Sequence, residues 1–177
     1  MTAIARPADG RPQPAEADAY YFRYIDRVEG DAVLPVLRAQ LVELPAFAAG
    51  ISEERSLHRY APGKWSLREV LGHVADVERL MLARAFWFAR GMPETLPSFE
   101  EDVAARFAGS HEVAWARLLA DWKAARASSL AFLDNLPDPA WERTGTASGR
   151  VFSVRALAYI LAGHVLHHMA VIRERYR

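Results

Sequence analysis

The sequence predicts an all-α protein, a four-helix bundle with a short N-terminal extension. Three observations predict it: four long segments with apolar residues at helical spacing, Ser or Gly/Pro punctuation at their ends, and no useful run of period-2 alternation. The 177 residues contain no Cys, and hydrophobic residues make up 51%. That suits one domain able to bury a core. Residues 1–16, rich in Pro and charge, read as a disordered tail, and residues 17–177 as the single domain.

The elements follow in order. Tyr20, Tyr21, Phe22 and Tyr24 form an aromatic cluster, which predicts a short helix over 17–27 laid against the body. Val33, Leu34, Leu37, Leu41 and Leu44 recur at helical spacing, with Pro35 tolerable in the first turn and Pro45 expected to end the helix near Leu44. Ser66-Leu-Arg-Glu69 reads as a capping box opening the second long helix, whose stripe is Leu67, Val70, Leu71, Val74, Val77 and Met81. Gly91 and Pro93 end it. A short helix near 101–107 follows, and Ser110 is expected to cap a third long helix, stopped by Pro137. A loop over 137–152 leads to Ser153, the cap of the fourth. These helices are expected to lie antiparallel.

Composition excludes several functions. Twenty-two basic residues balance twenty-two acidic ones, so no net field favours nucleic acid or an anionic membrane. No run of eighteen apolar residues suggests a membrane span, and the polar N-terminus lacks a signal-peptide core. A cytoplasmic location is expected. Without Cys, any sulfur nucleophile must come from outside the chain.

The histidines carry the chemistry. His164 and His168, at i and i+4, share a helix face on the stripe of Leu157, Leu161, Val165 and Ile172. Two imidazoles so placed, roughly 5–6 Å apart at Cβ, can converge on one ion. Burying them there is costly unless something satisfies them. A pair of core or surface histidines is the bland alternative, and His164 with His167 is also geometrically possible. His73 lies near the inward stripe of the second helix. Gly72 and Gly163 each precede an inward His, which suggests close approach of another backbone or a ligand. His58 and His111 read as surface residues.

The segment Tyr60-Ala-Pro-Gly-Lys-Trp65-Ser66-Leu-Arg-Glu69-Val-Leu-Gly-His73-Val-Ala-Asp76-Val-Glu78-Arg79 resembles the second-helix signature of the DinB-like superfamily. Ala162-Gly-His164-Val-Leu-His167-His168 resembles that family's C-terminal metal-binding helix. The likeness is strongest to the branch of bacillithiol and related low-molecular-weight thiol S-transferases. It implies an up-down-down-up bundle, a homodimer, and one divalent cation (nickel or zinc) on three histidines that map onto His73, His164 and His168.

On this reading the cation activates a bacillithiol-like thiol for attack on an electrophilic small-molecule substrate. The alternatives are a metal-dependent hydrolase using bound water, and a non-enzymatic metal-binding or dimeric interaction protein. Asp76, at i+3 from His73, is a candidate to orient a ligand imidazole or act as a base. Arg150, Lys64 and the acidic run Glu100, Glu101, Asp102 are candidates for polar groups of a thiol cosubstrate. Trp65 is expected to pack under the helix cap. Phe86, Trp87, Phe88 and Trp115 offer aromatic surface for a dimer or for the pocket.

Overall fold

The computed structural model describes residues 10–176. Six α-helices run in chain order: α1 Phe22–Ile25, α2 Val33–Ala48, α3 Leu67–Ala89, α4 Glu101–Phe107, α5 Trp115–Asp134 and α6 Val154–Arg175. The long ones, α2, α3, α5 and α6, form the bundle. Both α2 and α3 pack against α5 and α6, which places α2 diagonal to α3.

Cross-helix pairs set the directions. Arg79 meets Asp121 and Arg68 meets the carbonyl of His111, so α3 and α5 run parallel. Gln40 bonds the carbonyl of Ala162 near the middle of α6, and Phe47 meets Arg173 further along, so α2 and α6 are parallel too. His73 lies beside His164 whereas Arg84 meets Phe152, so α3 and α6 are antiparallel. The order is up-down-down-up, as the family resemblance implies, so two of the packed pairs are parallel rather than antiparallel. Parallel neighbours need a connection that travels the length of the bundle. Residues 90–114, with α4, supply it between α3 and α5.

Local signals hold where a cap or turn residue carries them. Ser66 and Glu69 close the capping box of α3 in both directions, with Ser66 N to Glu69 Oε2 at 2.6 Å. The Ser153 hydroxyl accepts from the Ala156 amide at 2.9 Å and opens α6. Two expected ends differ. Pro45 sits inside α2, which continues to Ala48. The third long helix starts at Trp115 rather than Ser110, because the carboxylate of Glu53, distant in sequence, accepts from the Trp115 amide at 3.0 Å.

The expected loop over 137–152 contains a β-hairpin, β1 Thr144–Ala147 with β2 Arg150–Ser153. Ser148 and Gly149 at its tip both have positive φ, 53° and 70°. That is the backbone of a tight two-residue hairpin turn. Strands of four residues are too short to show as alternation in the sequence.

Of the expected 1–16 tail, residues 1–9 lie outside the described residues, and 10–16 are docked. Glu16 pairs with Arg155 at 2.8 Å and accepts from the Ser153 hydroxyl at 2.7 Å. Arg11 donates to the carbonyl of Ile25 at 3.1 Å. Polar groups tie this segment down, and Pro12 is buried alongside them.

Three polar side chains knit the bundle centre. Arg126 of α5, fully buried, grips both carboxylate oxygens of Glu78 of α3 at 2.8 Å and also reaches the side-chain oxygen of Gln40. Gln40 Nε2 then donates to the carbonyl of Ala162 at 2.8 Å, one residue before Gly163. Helix α6 itself is long and apolar enough to cross a membrane by length and composition. In the bundle more than half of its residues are buried.

Candidate metal centre

His73 on α3 and His164 and His168 on α6 come together at the bundle interior. His164 Nε2 lies 3.1 Å from His73 Nε2 and 3.1 Å from His168 Nε2. One ring nitrogen from each of the three lies within 4.8 Å of the others. His164 Nε2 carries either one lone pair or one proton, so it can satisfy only one of these two neighbours by hydrogen bonding. A shared cation satisfies all three. Nitrogens about 2.0–2.1 Å from one ion stand about 2.9–3.4 Å apart at near-octahedral to tetrahedral angles, a range that includes the observed spacing. The donor set therefore fits a divalent ion.

Burial keeps these rings neutral, as ligation requires. It pushes the His73 imidazole down to about 4, against the opposing charge of Asp102. His164 and His168 are held well below the ordinary imidazole range, first by burial and then by neighbouring imidazoles, His168 and His73 for the first and His73 and His167 for the second.

The local sequence explains the convergence. Gly163 lets α6 approach the backbone of Tyr24, and Gly72 lets α3 approach Ser110. Both contacts lie one residue before a triad histidine, as the two glycines led one to expect. Trp65 does more than pack under the cap: its ring lies 4.8 Å from that of His73 and covers it. Tyr24 contacts the rings of His164 and His167 edge-on, at 5.4 and 5.3 Å. His167 stands outside the triad, beside His168 and Tyr24. His58 and His111 are exposed, as expected.

A cavity of about 270 Å³ opens beside His164, walled by Tyr20, Tyr21, Tyr24, Met81, Arg84 and Phe99 among others. Glu100 and Glu101 line it, and Asp102 acts electrostatically on His73, so the acidic run is brought to the site. The other candidates are not. Asp76 is half-buried and turns toward Arg79, at 3.8 Å, and Asp121 of α5. Its place on α3 carries it round to the α5 side, away from the imidazoles. Lys64 is exposed in the loop before α3. Arg150 bonds Asp18 at 2.7 Å and lies over the rings of Tyr20 and Tyr21, so it braces the cavity wall from behind.

Sequence reasoning missed Arg84 as a wall of the cavity. A signal existed: it continues the inward stripe of His73, Val77 and Met81, where a charge is out of place. Of the four aromatics offered for a dimer surface, Phe88 and Trp115 are core residues, 1% and 7% exposed. The Trp87 indole donates to the Glu94 carbonyl at 3.1 Å, and Phe86 alone of the four is exposed.

No curated protein matches this chain at a significant level. Among solved structures, the chain is similar to YfiT from Bacillus subtilis, described as a probable metal-dependent hydrolase with an unusual four-helix bundle topology. The TM-score is 0.66 at 20% identity, covering 94% of this chain and 91% of that one. It is also similar to a mycothiol-dependent maleylpyruvate isomerase, with a TM-score of 0.66 at 13% identity, covering 78% of this chain and 58% of that one. At these identities the likeness speaks for the fold. A family model for the DinB superfamily matches residues 37–172, which bracket the triad and three-quarters of the chain. The chain belongs to the DinB superfamily.

Proposed function

We propose that this protein is a metal-dependent enzyme holding one divalent cation, nickel or zinc, on His73, His164 and His168, and transferring a low-molecular-weight thiol to an electrophilic small molecule. The observation that carries this reading is the meeting of three neutral imidazoles, one of which, His164, lines an open cavity. A cation bound there would supply Lewis acidity, enough to favour the conjugate base of a thiol or of water near neutral pH.

The chain's own groups support the thiol. No carboxylate among the described residues hydrogen-bonds the triad, and Asp76 is turned away. Activating water calls for a general base within hydrogen-bond reach, whereas a thiol, already the more acidic, needs less help. With no Cys in the chain, the sulfur is the cosubstrate's. Glu100 and Glu101 at the cavity are placed for its hydroxyl or amino groups, while Trp65 and Tyr24 keep water from the imidazoles. The similar fold of a mycothiol-dependent isomerase adds weight.

One observation favours a second reading. Glu100 and Glu101 share the cavity with His164, and a carboxylate there could serve as base for water in a hydrolase. The test is a panel of thiols with 1-chloro-2,4-dinitrobenzene beside a panel of aryl esters, on zinc- and nickel-loaded protein with His168→Ala as control. Metal-dependent turnover that requires a thiol supports the transferase. Ester hydrolysis without thiol supports the second reading, and activity in neither panel contradicts both.

A further inference from the structure

Arg84 stands on the same stripe of α3 as His73, eleven residues further along, so about 16 Å along the helix axis. The cavity that touches His164 also touches Arg84, and the residue is only 2% exposed. Three arginines are buried among the described residues, and the other two have carboxylate partners, Arg126 with Glu78 and Arg68 with Glu53. Arg84 has none among the described residues. Its Nη2 donates to the Ser148 hydroxyl at 2.9 Å and to the Pro97 carbonyl at 3.4 Å, and its buried Nε has no partner among the described residues. A guanidinium kept out of water without a counter-charge is costly. Burial lowers its pKa, with Tyr21 acting the other way.

We propose that Arg84 is the anion-binding residue of this cavity, and that the substrate carries a carboxylate at the end remote from the group that meets the histidines. The planar fork of a guanidinium matches a carboxylate in two parallel hydrogen bonds. Charge balance selects a monoanion. One buried cation faces a cavity whose lining also includes Glu100 and Glu101, and a phosphate monoester would bring about −1.5 to −2 charges to it. Part of the acidic lining is offset by Arg23, which lies near Glu101. Between the two ends the wall is apolar, with Val77, Met81 and Ile160. The substrate is thus an acid with an apolar body and a reactive group at the far end. Ser148, held at positive φ and bonded to Arg84, is a positioning residue for the guanidinium.

This proposal rests on the reading that the cavity delivers substrate to the triad, and its test separates the two. Calorimetric titration of the full chain, stripped of metal so that no cation competes for the acid, compares 4-phenylbutyrate with its neutral amide. Wild type should bind the acid at least about tenfold tighter, the worth of one charge-assisted pair. Arg84→Gln should abolish the preference, and Arg84→Lys should keep only part of it. Ser148→Gly, which relieves a positive φ and so should fold, should weaken the preference a few-fold. Equal binding of acid and amide by wild type, or a preference that survives Arg84→Gln, would overturn the proposal. If Arg84→Gln fails to fold, the wild-type comparison and Ser148→Gly decide. Acid preference in a protein that takes up no metal would sink the metal reading alone, and metal uptake without acid preference would sink this one alone.

Discussion

The Cα of Gly163 faces the carbonyl group of Tyr24 so closely that a Cβ there would stand 2.5 Å from the carbonyl carbon and overlap its oxygen. The obstacle is backbone, which cannot rotate away. Gly163→Ala should therefore push α1 off α6 and displace Tyr24 from His164. Overpacking costs about 1–3 kcal/mol, against which the better helix propensity of Ala returns about 1 kcal/mol. A thermal melt should show Tm lowered by several degrees, with weakened metal uptake. An unchanged or raised Tm would mean the close approach is absent.

Arg126 and Glu78 lie wholly inside the bundle, 0% and 1% exposed at their side chains. Removing one partner strands a charge, so Glu78→Gln and Arg126→Met should each cost about 3–5 kcal/mol. Glu78→Leu combined with Arg126→Met should recover much of that loss, because no charge is then left alone. Urea unfolding of the three variants measures this, and equal losses in single and double variants would contradict the pairing.

Acid should loosen the N-terminal segment. Burial pushes the Glu16 carboxyl up, but hydrogen bonds from Arg155, the Gln13 amide and Ser153 outweigh it and hold the group below 4.5. A carboxyl with a folded pKa below its unfolded one adds stability that is full above about 4.5 and fades as the pH falls through the folded value. Wild type should exceed Glu16→Gln in unfolding free energy at pH 7, with the gap closing below pH 4.5. A gap that does not change with pH would assign the difference to shape rather than charge.

Asp76→Asn should leave metal stoichiometry and affinity unchanged, because the carboxylate faces Arg79 and Asp121 rather than a triad imidazole. A tenfold loss of affinity on titration with zinc would place Asp76 behind a ligand after all.

What was legible in the sequence was what local spacing encodes. The capping residues Ser66 and Ser153 opened their helices, and His164 with His168 shared a face because i and i+4 must. His73 joined them through resemblance, since spacing alone cannot bring a residue 91 positions away to His164. The rest depended on partners remote in sequence. Glu53 decides where α5 begins, Glu16 docks a segment that composition marked as free, and Phe88 is covered by a hairpin too short to announce itself. Arg84 was visible as a charge on an apolar stripe, but its lack of a counter-ion among the described residues appears only in three dimensions.

The central claim is that three histidines hold one divalent ion, and elemental analysis of protein purified without an affinity tag tests it most directly. Wild type should carry about one nickel or zinc per chain, and His73→Ala, His164→Ala and His168→Ala should each lose it while remaining helical by circular dichroism. Folded variants that keep the wild-type stoichiometry would contradict the claim.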